Sequence, residues 1–219
     1  MTVYGVFGAG GHGREVMPLA RALISEATLE EAGSNQLYFV VDDAHMPRER
    51  LVNGVQVVSA SEFADMDAAE KLFTVAIGAP MDRKRVAQRL IEEGLKPFSI
   101  RASSHIELDC NSVGVGAVFG HFTQITSNIK IGDFFHCNWY SAVAHDCVIG
   151  DYVTFAPGVK CNGHVIIEDE VYVGAGAIIR DGTKSPIILG KGSVIGMGAV
   201  VTKSVSPGAT VIGAPAKPV

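Results

Sequence analysis

The sequence predicts one chain of two fold classes: a short Rossmann-like βαβαβ unit over residues 1–100, then an all-β parallel β-helix over residues 101–219. Three observations predict it. Apolar runs alternate with helically spaced segments through the first hundred residues. Beyond them an apolar residue returns every six positions. The loop GAGGHGRE, residues 8–15, closes the first apolar run with glycines.

In chain order, VYGVFGAG reads as a buried strand ending in a glycine turn, and REVMPLARALISEA carries its apolar residues at the spacing of one helix face. QLYFVVDD is the second strand, ASEFADMDAAEKL a helix-like segment, and FTVAIGAP the third strand. DRKRVAQRLIEEGL is an amphipathic helix closed by Gly94 and Pro97. Strands alternating with helices imply a parallel sheet covered on both faces. Only three strands are evident, too few for a full dinucleotide fold. Gly8, Gly10 and Gly13 satisfy G-x-G-x-x-G, but the dinucleotide fingerprint wants an acid about 20 residues further on. The first acids after the second strand are Asp42 and Asp43, about thirty residues beyond Gly13. The loop therefore lacks the rest of the NAD fingerprint, although its backbone N–H groups at a helix start can still meet a phosphate.

Stepping by six from Val113 meets Phe119, Ile125, Ile131, Cys137, Val143, Ile149, Phe155, Cys161, Ile167, Val173 and Ile179, every one apolar. Four residues after most of them stands a small or β-branched side chain, and Phe135 is the clear oversized exception. The register slips by four in an insertion near 180–188 and resumes at Leu189, Ile195 and Val201. This is the hexapeptide pattern of a parallel β-helix, in which three hexads close one triangular coil of eighteen residues. Such a scaffold does not by itself name a function.

The register sorts the polar side chains by direction. His145 takes the third hexad position, which projects outward near a coil corner, and its neighbours one coil away are the small Ser127 and Gly163. That leaves room for a substrate, though register alone equally allows a plain surface histidine. Asp146 follows it, and reaches it only if the chain turns there or across a subunit boundary, because consecutive strand residues face opposite ways. His121, His136, His145 and His164 fall at different coil positions, so no metal site is expected. Cys137, Cys147 and Cys161 fall on inward positions and read as small core residues, while Cys110 precedes the array and is left undecided by the register, a structural role being the favoured one.

Composition narrows the partners. With 47% hydrophobic residues, 7% aromatics and a net charge of −5, the chain offers no basic block for nucleic acid or an anionic membrane. No apolar run nears the roughly 18 residues of a membrane span. MTVYGVFGAGG has no signal-peptide pattern, so a cytoplasmic protein is expected.

The joint occurrence of VFGAGGHGREV, VVDD, VAIGAP, AHDCVIGDYVTFAPGVKCNGHVIIED, YVGAGAII and VIGAPAK resembles the NeuD/PglD-type sugar acyltransferases along essentially the whole chain. The resemblance implies a left-handed β-helix, a homotrimer with active sites between subunits, and acetyl-CoA as co-substrate. It implies His145 as general base with Asp146 raising its basicity, and Gly163 and Gly196 meeting acetyl-CoA through their backbone. It also implies a nucleotide-sugar loop of Gly10, Gly11 and His12 with Asp42, Asp43 and Gly78. Thr154 stands where some members carry a second, acetyl-CoA-contacting histidine. The expected activity is N-acetylation of a nucleotide-linked amino sugar. O-acetylation of a sialic-acid-type hydroxyl is the nearest alternative, and a non-catalytic trimeric nucleotide-binding module is the alternative of another class.

Overall fold

The computed structural model describes residues 1–28 and 36–219. They divide into two units, residues 1–77 with 85–100, and residues 78–84 with 101–219.

The first unit is built on β1 (Thr2–Phe7), which leads through the glycine loop into α1 (Gly11–Thr28) and β2 (Gln36–Val41). Then come β3 (Leu51–Val52), β4 (Val55–Ser59), α2 (Ala60–Ala64), β5 (Glu70–Val75), α3 (Pro80–Glu92), which belongs to this unit from residue 85 onward, and β6 (Lys96–Pro97). The sheet order is β3-β4-β2-β1-β5-β6, parallel except at the β3–β4 hairpin. Central β1 buries Val3, Val6 and Phe7, and Phe7 meets Phe63 and Phe73 edge-on at 5.9 and 6.1 Å. The expectation of three strands is thus corrected to six. The missed hairpin turns at Asn53-Gly54, with φ of 49° and 76°, the conformation a two-residue hairpin turn demands. ASEFADMDAAEKL is also corrected. Only its first five residues are helical, started by a capping box between Ser59 and Glu62. Its tail opens β5, where pairing of Lys71 and Leu72 with Val3 and Tyr4 overrides helix propensity.

In the second unit, strands eighteen residues apart pair in parallel: Ile125 with Val143, Val143 with Cys161, Ile131 with Ile149, Cys137 with Phe155. The strands fall into three sheets, one per face of a left-handed β-helix. Every hexad position from Phe119 to Ile179 is buried, at no more than 5% exposure. Phe135 fits because the same position one coil away is Ala117 or Val153, and its ring meets Phe119 and Phe155 edge-on. The insertion adds four residues to one coil, so that Ile167 pairs with Leu189, and the ladder continues unbroken. Corners are made by residues with left-handed backbone, among them Asn128, Asp146 and His164 with φ of 56–60°. Cys110 shares that conformation and is exposed. Arg83 is fully buried, donating to the carbonyls of Phe134 (3.0 Å), Tyr152 (2.7 Å) and Val153 (3.2 Å). Among the described residues no helix is long and apolar enough to cross a membrane.

Candidate active site

His145 and Asp146 form the turn between the strands Ala142–Val143 and Val148–Ile149. The chain does turn here: Asp146 has φ of 58°, a conformation that aspartate tolerates better than most residues. That bend lets adjacent side chains meet. His145 Nδ1 lies 2.8 Å from Asp146 Oδ2, with the two side chains 52% and 39% exposed. Backbone bonds between coils fix both residues. The Asp146 N–H donates to the Ser127 carbonyl, and the His145 carbonyl accepts from the His164 N–H.

The carboxylate titrates below its usual range, chiefly through the His145 hydrogen bond and further through Asn128, whose Nδ2 is 3.3 Å from Oδ1. It is therefore ionised at neutral pH and can only accept, so the proton between the two residues sits on Nδ1. Nε2 is then the basic nitrogen. An exposed imidazole with a fixed tautomer can take a proton from an incoming nucleophile.

Two features were not read from the sequence. His164 sits at the corner one coil beyond Asp146, its Nε2 3.8 Å from Asp146 Oδ2 and its ring edge-on to His145 at 5.2 Å. This corrects the expectation that the histidines stay apart. The spacing of eighteen that aligns Asn128, Asp146 and His164 was the available signal. His145, Asp146 and His164 offer donor atoms within 4.8 Å of one another. Two ligands of a tetrahedral zinc stand about 3.3 Å apart, so the 2.8 Å His145–Asp146 spacing is that of a hydrogen bond, not of a metal seat.

The second is the packing at Gly163, which the sequence offered only as a small neighbour leaving room for a substrate. A Cβ there would come within 2.6 Å of His145 Cε1, 2.9 Å of Nε2 and 2.9 Å of Asp181 Oδ2. The glycine therefore makes space for the imidazole. Asp181 is held by the backbone and hydroxyl of Thr183, which keep its carboxyl below the usual range.

The remaining expected residues are placed as follows. Thr154 is buried, and its hydroxyl donates to the Gly78 carbonyl at 2.8 Å. The Gly196 N–H donates to Val211 within the β-helix ladder, and a Cβ there would meet Ile212 at 2.6 Å. In the first unit a Cβ at Gly13 would lie 1.8 Å from the Gly8 carbonyl oxygen, so glycine is what lets α1 start against β1. Gly10 and Gly11 face open space, and His12 Nδ1 is 3.4 Å from Glu15. Asp42 accepts from Arg89 at 2.6 Å, and Asp43 accepts from the Ser61 hydroxyl and amide, which lower its pKa. The glycine loop leads into the start of α1, whose first-turn N–H groups have no intrahelical acceptor.

Comparison with known proteins follows the same division. Residues 5–90 match the PglD N-terminal domain, and residues 164–203 match the hexapeptide repeat of succinyl-transferase. The chain is 45% identical to GDP-perosamine N-acetyltransferase from Escherichia coli O157:H7 over 218 residues, 99% of this chain and 96% of that one. WeeI from Acinetobacter baumannii AYE superposes with a TM-score of 0.91 at 45% identity, covering 100% of both chains. The acetyltransferase domain of PglB from Neisseria gonorrhoeae FA1090, in complex with acetyl coenzyme A, superposes with a TM-score of 0.84 at 27% identity over 99% of this chain and 98% of that one.

Proposed function

Because the chain belongs to the NeuD/PglD-type family of sugar acyltransferases, we propose that it is an acetyl-CoA-dependent N-acetyltransferase of a nucleotide-linked amino sugar, with His145 as general base. The observation that carries the role of His145 is the exposed imidazole whose Nδ1 is held 2.8 Å from the Asp146 carboxylate. The relative named for GDP-perosamine makes a guanosine-diphosphate amino sugar the first substrate to test. The glycine loop of Gly10, Gly11 and His12, with Asp42, Asp43 and Gly78, is assigned to the nucleotide sugar. Gly163, Gly196 and Thr154 are assigned to the acetyl-CoA side, and the active form is a homotrimer with active sites between subunits.

The chemistry follows from the free nitrogen of His145. The sugar amine attacks the thioester carbonyl, a C–N bond forms, and Nε2 of His145 takes the proton that the nitrogen sheds. The C–S bond then breaks and the thiolate leaves, to be protonated by the imidazolium or by water. Asp146 holds the tautomer and stabilises the imidazolium. No acyl-enzyme is needed, in keeping with Cys137, Cys147 and Cys161 being buried in the β-helix core.

The test is thiol release from acetyl-CoA with GDP-, UDP- and dTDP-linked amino sugars and with sialic acid. His145→Ala should lower the rate by roughly two to four orders of magnitude without loss of the trimer. Near-normal turnover in that variant removes His145 from the mechanism. Release only with sialic acid would move the assignment to O-acetylation. Tight nucleotide binding without any thiol release would leave a binding module.

A further inference from the structure

We propose that His164 is a positioning residue that draws on the Asp146 carboxylate and so keeps His145 Nε2 unprotonated, hence usable as a base, at neutral pH. The inference rests on the reading of His145 as the base.

A carboxylate against an imidazole solves one problem and creates another. It fixes the tautomer, but it also favours the imidazolium, and a protonated His145 cannot accept a proton. The corner supplies a counterweight. Asp146 Oδ2 is the atom shared by both rings, 2.8 Å from His145 Nδ1 and 3.8 Å from His164 Nε2. The sharing is built in, because the His164 N–H donates to the His145 carbonyl and pins one residue to the other. The two rings stand 83° to each other, so the edge of one faces the other.

The direction of the effect is the same in either protonation state of His164. Neutral, with its proton on Nε2, it takes up part of the charge on Oδ2 and leaves less for His145. Protonated, it adds a positive charge 5.2 Å from the His145 ring and disfavours a second one. Both lower the proton affinity of His145. Asn128 and Asp181, near His164, are each held by partners other than it. Asn128 holds the far oxygen of Asp146 from the preceding coil, and Asp181 on the following coil is fixed by Thr183. Both imidazoles feel the Asp181 charge, and each helps hold that carboxyl ionised.

His164→Asn tests this, because asparagine accepts the left-handed backbone that His164 adopts at φ of 56°. The measurement is an NMR pH titration of the His145 ring in the intact protein, assigned by loss of its signal in His145→Ala. The His145 midpoint should rise in His164→Asn by about half to one pH unit, which is roughly three- to tenfold more imidazolium at a given pH. In an Asp146→Asn background the same substitution should move the midpoint by less than half as much. A midpoint that stays put or falls in His164→Asn overturns the proposal, as does an equal rise without Asp146. The acid limb of kcat/KM should move with the NMR midpoint. If the midpoint rises while the acid limb does not move, the tuning by His164 stands and His145 is not the base.

Discussion

Gly163→Ala puts the packing of the base to a direct test. The backbone there tolerates alanine, since its φ lies outside the left-handed region, but the new methyl would sit 2.6 Å from His145 Cε1 and 2.9 Å from Nε2. Ordinary contacts between such atoms are about 3.5–4.0 Å, so the imidazole must retreat by about 1 Å or swing away from Asp146. The retreat costs little stability, because the atoms displaced are the far end of a side chain 52% exposed. The melting temperature should hold within about 4 °C, corresponding to less than about 1 kcal/mol. Catalysis should not hold. A misplacement of about 1 Å is worth about a hundredfold in rate, or about 2.7 kcal/mol on the barrier. Initial rates of thiol release at saturating acetyl-CoA would show the loss in kcat. Wild-type kcat with a raised KM for acetyl-CoA alone would refute the packing argument, and would leave Gly163 with its acetyl-CoA assignment only.

Asp146→Asn keeps a residue suited to the corner backbone but removes the charge. It should lower kcat/KM by roughly ten- to a hundredfold and move the acid limb to lower pH, as a pH–rate profile would show. In the wild type Asp146 titrates below its unfolded value. Any stability it lends is therefore present at neutral pH and lost only as the pH falls through the folded value, so circular dichroism should find the fold unchanged across the His145 titration. Arg83→Met removes the buried guanidinium that the Phe134, Tyr152 and Val153 carbonyls accept from, the last keeping the His136 N–H, and should cost about 3 kcal/mol, measured as a lower denaturant midpoint. Phe135→Ala empties the space between Phe119 and Phe155 and should cost about 3–5 kcal/mol in the same assay. Prolonged treatment with a chelator should leave the acetylation rate unchanged, given the hydrogen-bond spacing of His145 and Asp146.

How much was legible from the chain alone differs between its halves for a physical reason. In the β-helix the period of six is enforced by one repeated demand, an apolar side chain on the axis, so burial from Phe119 to Ile179 could be read residue by residue. The outward direction of His145 followed from the same count. The first unit has no repeat, and its edge strands are short: Leu51–Val52 and Lys96–Pro97 hold two residues each, too few for alternation to show. The Asn53-Gly54 turn was the one local signal for the hairpin. The active corner was half legible. An alternating strand gives no way for His145 to reach Asp146, and only the left-handed backbone at Asp146, which periodicity does not report, turns one toward the other. His164 was missed because its tie to Asp146 runs between coils and not along the chain.

The insertion after Ile179 shows how this scaffold can change length. Adding a hexad would carry everything beyond it round to the next face, a rotation of about 120°, and adding a full coil would shift it along the axis by about 4.8 Å, the strand spacing. Four residues do neither. They bulge outward, and Ile167 still meets Leu189 in register. The corner bearing His145 and Asp146 thus lies in a lattice whose steps are discrete. Engineering that respects those steps can relocate the dyad by whole coils, whereas any other change in length must be absorbed, as here, outside the wall.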